Sequence, residues 1–143
     1  MSDDKKKRIL IIDDDMGFLD LLRIHLTSAG YAVQVAEDGV TGGRALLAQT
    51  PDLIVSDVNM PFLDGFELLS LMRSETSTAS IPVILLSGRS DGDTMARAVE
   101  LGAADFLTKP VTRDQLLESI EACLERAAKG PRAAPDYGST PPV

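Results

Sequence analysis

The sequence lacks the features that mark secreted and membrane-spanning proteins. It holds no tryptophan, one histidine and a single cysteine, Cys123. One thiol cannot form an internal disulfide, which fits a reducing compartment and makes the cytoplasm the expected location. No apolar run approaches the roughly 18 residues that a membrane span needs. The apolar run from Ile9 to Ile12 is also too short for a signal peptide, so we expect neither secretion nor contact with a membrane.

Positive charge is scarce as well. The 14 lysines and arginines face 22 aspartates and glutamates, which gives a net charge of -8 and a pI near 4.5. The phosphate backbone of nucleic acid repels such a surface, so direct DNA binding by this chain is disfavoured. The basic run at residues 5–8 follows Asp3 and Asp4, and this mixture predicts a solvated strand flank rather than a nucleic-acid patch.

What the chain does have is a regular alternation of short apolar runs and segments of helical periodicity. Its length of 143 residues and its 44% hydrophobic content suit one globular domain with a core. Some of the apolar runs, such as those at residues 9–12 and 53–55, are continuous rather than alternating, which is typical of parallel strands covered by helices on both faces. Five apolar runs predict an α/β fold with a doubly wound, five-stranded parallel sheet in three layers. They begin near Ile9, Ala32, Leu53, Pro82 and Ala104.

Helix-capping residues and the tail composition predict the boundaries. Asp64, Ser90 and Thr112 are expected to cap helices, Asp15 to cap the first helix, and Gly30 and Gly102 to close two of them. The last helix should end near Lys129. Residues 130–143 hold four of the eight prolines and few apolar side chains, which predicts a flexible tail or the start of a linker. The expected division is a charged extension over 1–7, a folded domain over 8–129 and this tail.

Polar and charged residues follow four of the five predicted strands. Asp13, Asp14 and Asp15 follow the first, Asp57 the third, Ser87 the fourth and Lys109 the fifth. Ligands of open parallel sheets bind at the carboxyl ends of the strands, so these side chains should converge. Several carboxylates in one crevice repel each other unless a cation lies between them, and oxygen ligands favour Mg²⁺. With Lys109 opposite, the sequence predicts a pocket for a divalent ion and a phosphoryl group.

Four motifs resemble those of the receiver domains of bacterial two-component response regulators. They are Ile-Leu-Ile-Ile-Asp-Asp at 9–14, Ser-Asp-Val-Asn-Met-Pro at 56–61, Val-Ile-Leu-Leu-Ser at 83–87 and Gly-Ala-Ala-Asp-Phe-Leu-Thr-Lys-Pro at 102–110. The resemblance covers roughly residues 7 to 129. It implies the flavodoxin-like strand order 2-1-3-4-5 and phosphorylation of one aspartate, with the domain acting as a signalling switch rather than an enzyme.

The resemblance also assigns roles to individual residues. Asp57 would accept the phosphoryl group, and Lys109 and Ser87 would contact it. Asp13, Asp14, Asp57 and the backbone carbonyl of Asn59 would hold Mg²⁺. Phe106 would turn inward as Ser87 moves toward the phosphoryl group, and Pro110 would follow a cis peptide bond that aims Lys109 into the pocket. His25 and Cys123 lie on apolar helical stripes, and we expect them to be packing residues.

The same resemblance implies partners. A sensor histidine kinase or a phosphotransfer protein would supply the phosphoryl group. A downstream protein would read the surface of the fourth helix, fifth strand and fifth helix, from about Asp91 to Ala128, and a phosphorylation-dependent homodimer is a further possibility.

Several alternatives stay open at this point. The chain could be a receiver module of a longer regulator or hybrid kinase, or a receiver-like interaction module that is not phosphorylated. A phosphatase of the haloacid-dehalogenase type also phosphorylates an aspartate after a strand, but it needs a second aspartate where this chain has Asn59. A flavodoxin-type electron carrier needs a Ser/Thr/Gly-rich phosphate loop where this chain has three aspartates.

Overall fold

Five parallel strands alternate with five helices in a single open sheet. The computed structural model describes residues 6–88 and 91–129. Its strand order is β2-β1-β3-β4-β5, so the predicted doubly wound α/β fold is confirmed. The elements in chain order are β1 (Arg8–Ile12), α1 (Met16–Ser28), β2 (Ala32–Ala36), α2 (Gly39–Ala48), β3 (Leu53–Asp57), α3 (Gly65–Ser74), β4 (Val83–Ser87), α4 (Gly92–Glu100), β5 (Asp105–Thr108) and α5 (Arg113–Ala128).

The three layers follow from the way in which successive strand residues point to opposite faces. In β1, Leu10 and Ile12 pack into one apolar cluster, whereas Ile9 and Ile11 pack into another. Helices α2, α3 and α4 contribute to the first cluster, and helices α1 and α5 contribute to the second. Every residue of β3 and β4 is buried, which explains why both strands read as continuous apolar runs that end in a polar residue.

The predicted helix boundaries hold with one exception. Asp15, Asp64 and Thr112 cap α1, α3 and α5, and the caps of α3 and α5 are reciprocal capping boxes. The prediction of Ser90 as the cap of α4 is wrong, because Asp91 is the N-cap and its side chain accepts from the Thr94 N–H at 2.9 Å. Ser90 itself lies outside the described residues. Ser90 and Asp91 both carry oxygens suited to capping, and Asp91 takes the role because α4 begins at Gly92, directly after it.

The remaining boundaries agree where the structure describes them. Gly30 and Gly102 have positive φ angles of 100° and 81°, which suits residues that close helices. Helix α5 ends at Ala128 with Lys129 as its C-cap. Residues 1–5 and 130–143 lie outside the described residues, so the predicted extension and tail remain predictions. Within the described part, none of the helices has the length and apolar character that crossing a membrane requires.

His25 and Cys123 lie where their apolar stripes place them. His25 is half-buried on α1, and Cys123 is 1% exposed in the cluster between α1, α5 and the sheet. Burial raises the pKa of the Cys123 thiol. A buried thiol that stays protonated is a packing residue, since the thiolate is the reactive form.

Candidate functional site

Three aspartates meet at the carboxyl edge of the sheet. Asp13 follows β1, Asp14 comes next, and Asp57 is the last residue of β3, the strand that pairs with β1. Each of the three places a carboxylate oxygen within 4.8 Å of the others. Asp13 and Asp57 are buried, at 1% and 6% exposure, and Asp14 is exposed. The parallel register therefore brings together the carboxylates that the sequence placed at separate strand ends.

Lys109 enters this cluster from the end of β5. Its Nζ donates a hydrogen bond to Asp13 Oδ2 at 2.8 Å and lies 3.5 Å from Asp57 Oδ2. Its backbone N–H donates to the carbonyl of Ser87 at 2.7 Å, and the peptide bond between Lys109 and Pro110 is cis, the isomer that the resemblance implies. One ammonium group thus joins two buried carboxylates that come from different strands.

Burial and like charge shape the electrostatics of the pocket. The pKa of Asp57 is raised to about 6, chiefly because the carboxyl group is desolvated and then because the Asp13 charge repels its ionised form. The Lys109 charge and a hydrogen bond from the backbone N–H of Asn59 oppose this rise. Burial would lower the pKa of Lys109, but the Asp13 hydrogen bond and the charges of Asp57 and Asp13 outweigh it and raise that pKa. Asp57 is ionised at neutral pH, but its ionisation costs more free energy than the ionisation of a carboxyl group in water.

The loop between β1 and α1 fixes the acidic pair. The Asp13 N–H donates to the Ala36 carbonyl at 3.1 Å, which extends the pairing of β1 with β2 by one residue. Asp13 Oδ1 then accepts from the Asp15 N–H at 2.9 Å, and Asp15 Oδ1 accepts from the Phe18 N–H at 3.1 Å. These bonds hold the Asp13 carboxylate in place before any ligand arrives.

Phe18 is a site residue that sequence reasoning missed. Its ring centroid lies 4.8 Å from Lys109 Nζ, close enough for a cation–π contact. Helical periodicity assigns Phe18 to the apolar stripe of the first helix, and it does pack against the core cluster of that face. The one available signal was its position in the first turn of a helix that starts at the acidic strand end.

The loop between β3 and α3 packs closely against the backbone of Asp57 and Val58. The Val58 N–H donates to the Leu86 carbonyl at 2.8 Å, and the Gly65 N–H donates to the Val58 carbonyl at 2.9 Å. Between them, Phe62 has a positive φ of 70° and is 88% exposed. A Cβ atom on Gly65 would meet the Asp57 carbonyl oxygen and would lie 3.0 Å from Val58 Cα. Glycine at 65 is therefore needed for the loop to reach Asp57.

Replacing Gly65 with alanine is expected to lower the free energy of unfolding by about 1 to 3 kcal/mol, as overpacking against backbone does. The matched control is Gly43→Ala in α2, where an added Cβ meets nothing within 4 Å. That substitution should stabilise the protein by about 0.5 to 1 kcal/mol through helix propensity. Urea unfolding of both variants gives the comparison. Equal effects of the two substitutions would contradict the close approach at Gly65.

Ser87 and Phe106 lie on neighbouring strands close to the pocket. Ser87 ends β4 and is 0% exposed, and its carbonyl group anchors the Lys109 backbone. Phe106 pairs with Leu85 in the β4–β5 register and is 6% exposed in the cluster that includes Ala98 and Ala103. The aromatic side chain thus lies inward in this conformation.

Comparison with known proteins decides the family. The family described as Response regulator receiver domain matches residues 9–121 of this chain. The chain belongs to the response regulator receiver domain family. A receiver domain from Methanospirillum hungatei described as CheY-like superposes with a TM-score of 0.81 at 29% identity, covering 87% of this chain and 98% of that one. The chemotaxis response regulator CheY4 of Vibrio cholerae gives a TM-score of 0.79 at 27% identity, covering 83% of this chain and 99% of that one.

The curated relatives are longer than this receiver domain. The chain is 40% identical over 127 residues to the DNA-binding dual master transcriptional regulator RpaA of Synechocystis sp., covering 89% of this chain and 53% of that protein. It is 38% identical over 124 residues to the transcriptional regulatory protein GlrR of Escherichia coli, covering 87% of this chain and 28% of that protein. The chain therefore spans about half or less of these two relatives.

The donor set fits a divalent cation. Three carboxylates share the site with one ammonium group, so the cluster keeps an excess of negative charge when its aspartates are ionised. Hard oxygen ligands of this kind suit Mg²⁺, which takes one or two carboxylates and keeps several waters. The exposed carboxylate of Asp14 leaves the cluster open to solvent on one side, where such waters would lie.

Proposed function

We propose that this receiver domain is a phosphorylation-dependent signalling switch that accepts a phosphoryl group on Asp57 in the presence of Mg²⁺. The observation that carries the proposal is the position of Lys109, whose ammonium contacts both Asp13 and Asp57 inside a cluster of three carboxylates. A buried carboxylate beside an ammonium group and further acidic ligands is suited to phosphoryl transfer, where positioning and charge stabilisation supply most of the catalysis.

In the proposed reaction an Asp57 carboxylate oxygen attacks phosphorus in line. A new O–P bond forms as the bond between phosphorus and the donor's leaving atom breaks, and the leaving group takes that electron pair. Asp57 must be ionised to attack, and its pKa of about 6 leaves it ionised at neutral pH. Asp13, Asp14, Asp57 and the Asn59 carbonyl would hold Mg²⁺, which when bound neutralises charge on the phosphoryl oxygens.

Lys109 would stabilise charge on the phosphoryl oxygens in the transition state and in the product, whereas Ser87 would act on the product. The Lys109 ammonium already lies 3.5 Å from the nucleophilic carboxylate, so it would contact a phosphoryl oxygen with little movement. Ser87 would move toward the phosphoryl group and donate a hydrogen bond to it from its hydroxyl. The Phe106 side chain would turn inward as Ser87 moves. Phe106 is buried in this conformation, which is compatible with the inward position that the proposed switch requires. The output would be read on α4, β5 and α5.

The proposed partners follow from the family. A sensor histidine kinase or a phosphotransfer protein would supply the phosphoryl group, and a downstream protein would bind the surface of α4, β5 and α5. A homodimer that forms on phosphorylation is a further part of the proposal. In a second form of the proposal the domain works as a module of a longer regulator or hybrid kinase. The partial coverage of RpaA and GlrR supports that form.

The phosphatase alternative is weaker on chemical grounds. An enzyme that hydrolyses phosphate esters through an aspartyl phosphate needs an acid/base group two residues after its nucleophile. This chain has the amide of Asn59 there, and an amide cannot exchange a proton at neutral pH as a carboxyl group does. We therefore propose a phosphoacceptor domain rather than a hydrolase.

The test is incubation of the protein with acetyl phosphate and Mg²⁺, followed by intact-mass measurement. We expect a gain of one phosphoryl group that peptide mapping places on Asp57 and that does not form when EDTA removes the metal. No gain with metal present would contradict the proposal, and turnover of phosphate esters would favour the phosphatase. A gain on an exposed carboxylate such as Asp20 would contradict the assignment of Asp57.

A further inference from the structure

We propose that Phe18 is a positioning residue for Lys109, whose ring holds the ammonium over the acidic pocket and so increases the rate at which Asp57 is phosphorylated. The effect on phosphorylation rests on the proposed function, whereas the contact between the Phe18 ring and the Lys109 ammonium rests on the geometry of the structure alone. Lys109 Nζ lies 4.8 Å from the centroid of the Phe18 ring. At this distance the negative face of an aromatic ring attracts a cation, and the attraction grows as the cation loses water.

The ring gives the ammonium a third contact besides the two carboxylates. Asp13 accepts its hydrogen bond at 2.8 Å and Asp57 lies at 3.5 Å. The Lys109 side chain is nevertheless 26% exposed, and a lysine side chain has a flexible four-carbon stem, so positions directed into solvent compete with the one described. A ring at the ammonium favours the position in the pocket over those alternatives.

Phe18 is well fixed for this role. Its backbone N–H donates to Asp15 Oδ1 at 3.1 Å, and the Asp15 N–H donates to Asp13 Oδ1 at 2.9 Å. The side chain is half-buried and packs against the core cluster between α1, α5 and the sheet. One short turn of backbone therefore fixes both the carboxylate that binds the ammonium and the ring beside it.

The first test compares phosphorylation rates with acetyl phosphate and Mg²⁺ by intact mass over time. Phe18→Leu keeps an apolar side chain but removes the ring, and we expect it to slow phosphorylation about two- to five-fold, the range that an exposed cation–π contact supports. Phe18→Tyr keeps the ring and should restore the wild-type rate. Leu124→Ala is the matched control, since Leu124 packs against the same cluster from α5, and its rate should not change.

The second test separates the contact from ordinary packing. Urea unfolding in metal-free buffer is measured for Phe18→Leu in the wild-type and Lys109→Met backgrounds. Phe18→Leu should raise the unfolding equilibrium constant in both backgrounds, and the rise should be two- to five-fold larger in the wild-type background, where Lys109 is present, than in the Lys109→Met background. Leu124→Ala should shift it equally in both backgrounds.

The outcomes are distinct. Equal shifts for Phe18→Leu in both backgrounds, an unchanged phosphorylation rate, or failure of Phe18→Tyr to restore the rate would each overturn the role of Phe18. In all three cases a wild-type protein that gains its phosphoryl group leaves the proposed function standing. If the wild-type protein gains none, the proposed function fails and the kinetic role fails with it, and the unfolding cycle then reports the contact alone.

Discussion

Replacing Asp57 with asparagine is expected to abolish phosphorylation and, in metal-free buffer at pH 7.5, to make the protein more stable. The first effect follows because the amide cannot act as the nucleophile. The second follows because the folded state disfavours the ionised carboxyl group, as its pKa of about 6 against an ordinary 3.8 shows. The difference corresponds to about 3 kcal/mol at most. Since solvent screening reduces it in practice, we expect a gain of about 1 to 3 kcal/mol in the free energy of unfolding.

The pH dependence of this gain has a definite sign. Between the ordinary carboxyl pKa and about 6, the folded protein binds the Asp57 proton more tightly than the unfolded chain does. Its stability therefore falls as the pH rises through this window, and the loss is complete above it. The advantage of Asp57→Asn should be full at pH 7.5 and should disappear as the pH approaches 4.

Urea unfolding at these two pH values, with EDTA present, measures the effect. Asp20→Asn is the matched control, because Asp20 is an exposed carboxylate on α1 whose partner, Arg23, lies at 3.6 Å, and it should change stability by less than about 0.5 kcal/mol. A variant less stable than wild type at pH 7.5 would show that Asp57 contributes more through its contact with Lys109 than it loses through burial and repulsion.

Much of the fold was predictable because every strand lies in a short, largely apolar run and because polar residues end or follow four of the five. The residues of β3 and β4 are buried on both faces, so no alternation obscures the signal, and the polar group at the end of each strand lies at the edge where the strands meet. The cap of α4 was not predictable, because Ser90 and Asp91 carry equally suitable oxygens. Which of them accepts an amide depends on where the helix begins, and that depends on the packing of α4 as a whole.

The residues that form the site were predictable, but their burial and the pKa of Asp57 were not. The sequence places Asp13, Asp14 and Asp57 at strand ends, yet only the structure shows that Asp13 and Asp57 are buried and Asp14 is exposed. The raised pKa of Asp57 depends on that burial. Phe18 escaped notice for a related reason: periodicity identifies the face of a helix, whereas the contact with Lys109 depends on where β5 ends relative to α1.

Replacing Lys109 with alanine is expected to produce the largest loss of stability among the pocket substitutions. Asp13 is 1% exposed and would lose its charged hydrogen-bond donor, which leaves a buried carboxylate unpaired. Removing one partner of a buried ion pair costs about 3 to 5 kcal/mol. Since the Lys109 side chain is 26% exposed, water can replace part of its contact, and we expect a loss of about 2 to 4 kcal/mol in metal-free buffer.

Magnesium should reverse part of this loss. Without the ammonium the three carboxylates attract a divalent cation at least as strongly as before, so a given Mg²⁺ concentration should stabilise Lys109→Ala at least as much as wild type. Unfolding by urea across a Mg²⁺ titration measures both effects, with the exposed Lys129→Ala as the control. The variant should bind Mg²⁺ but fail to change its affinity for a partner when phosphorylated. If Mg²⁺ stabilised wild type but not the variant, Lys109 would be needed to shape the metal site itself rather than to carry the response to the phosphoryl group.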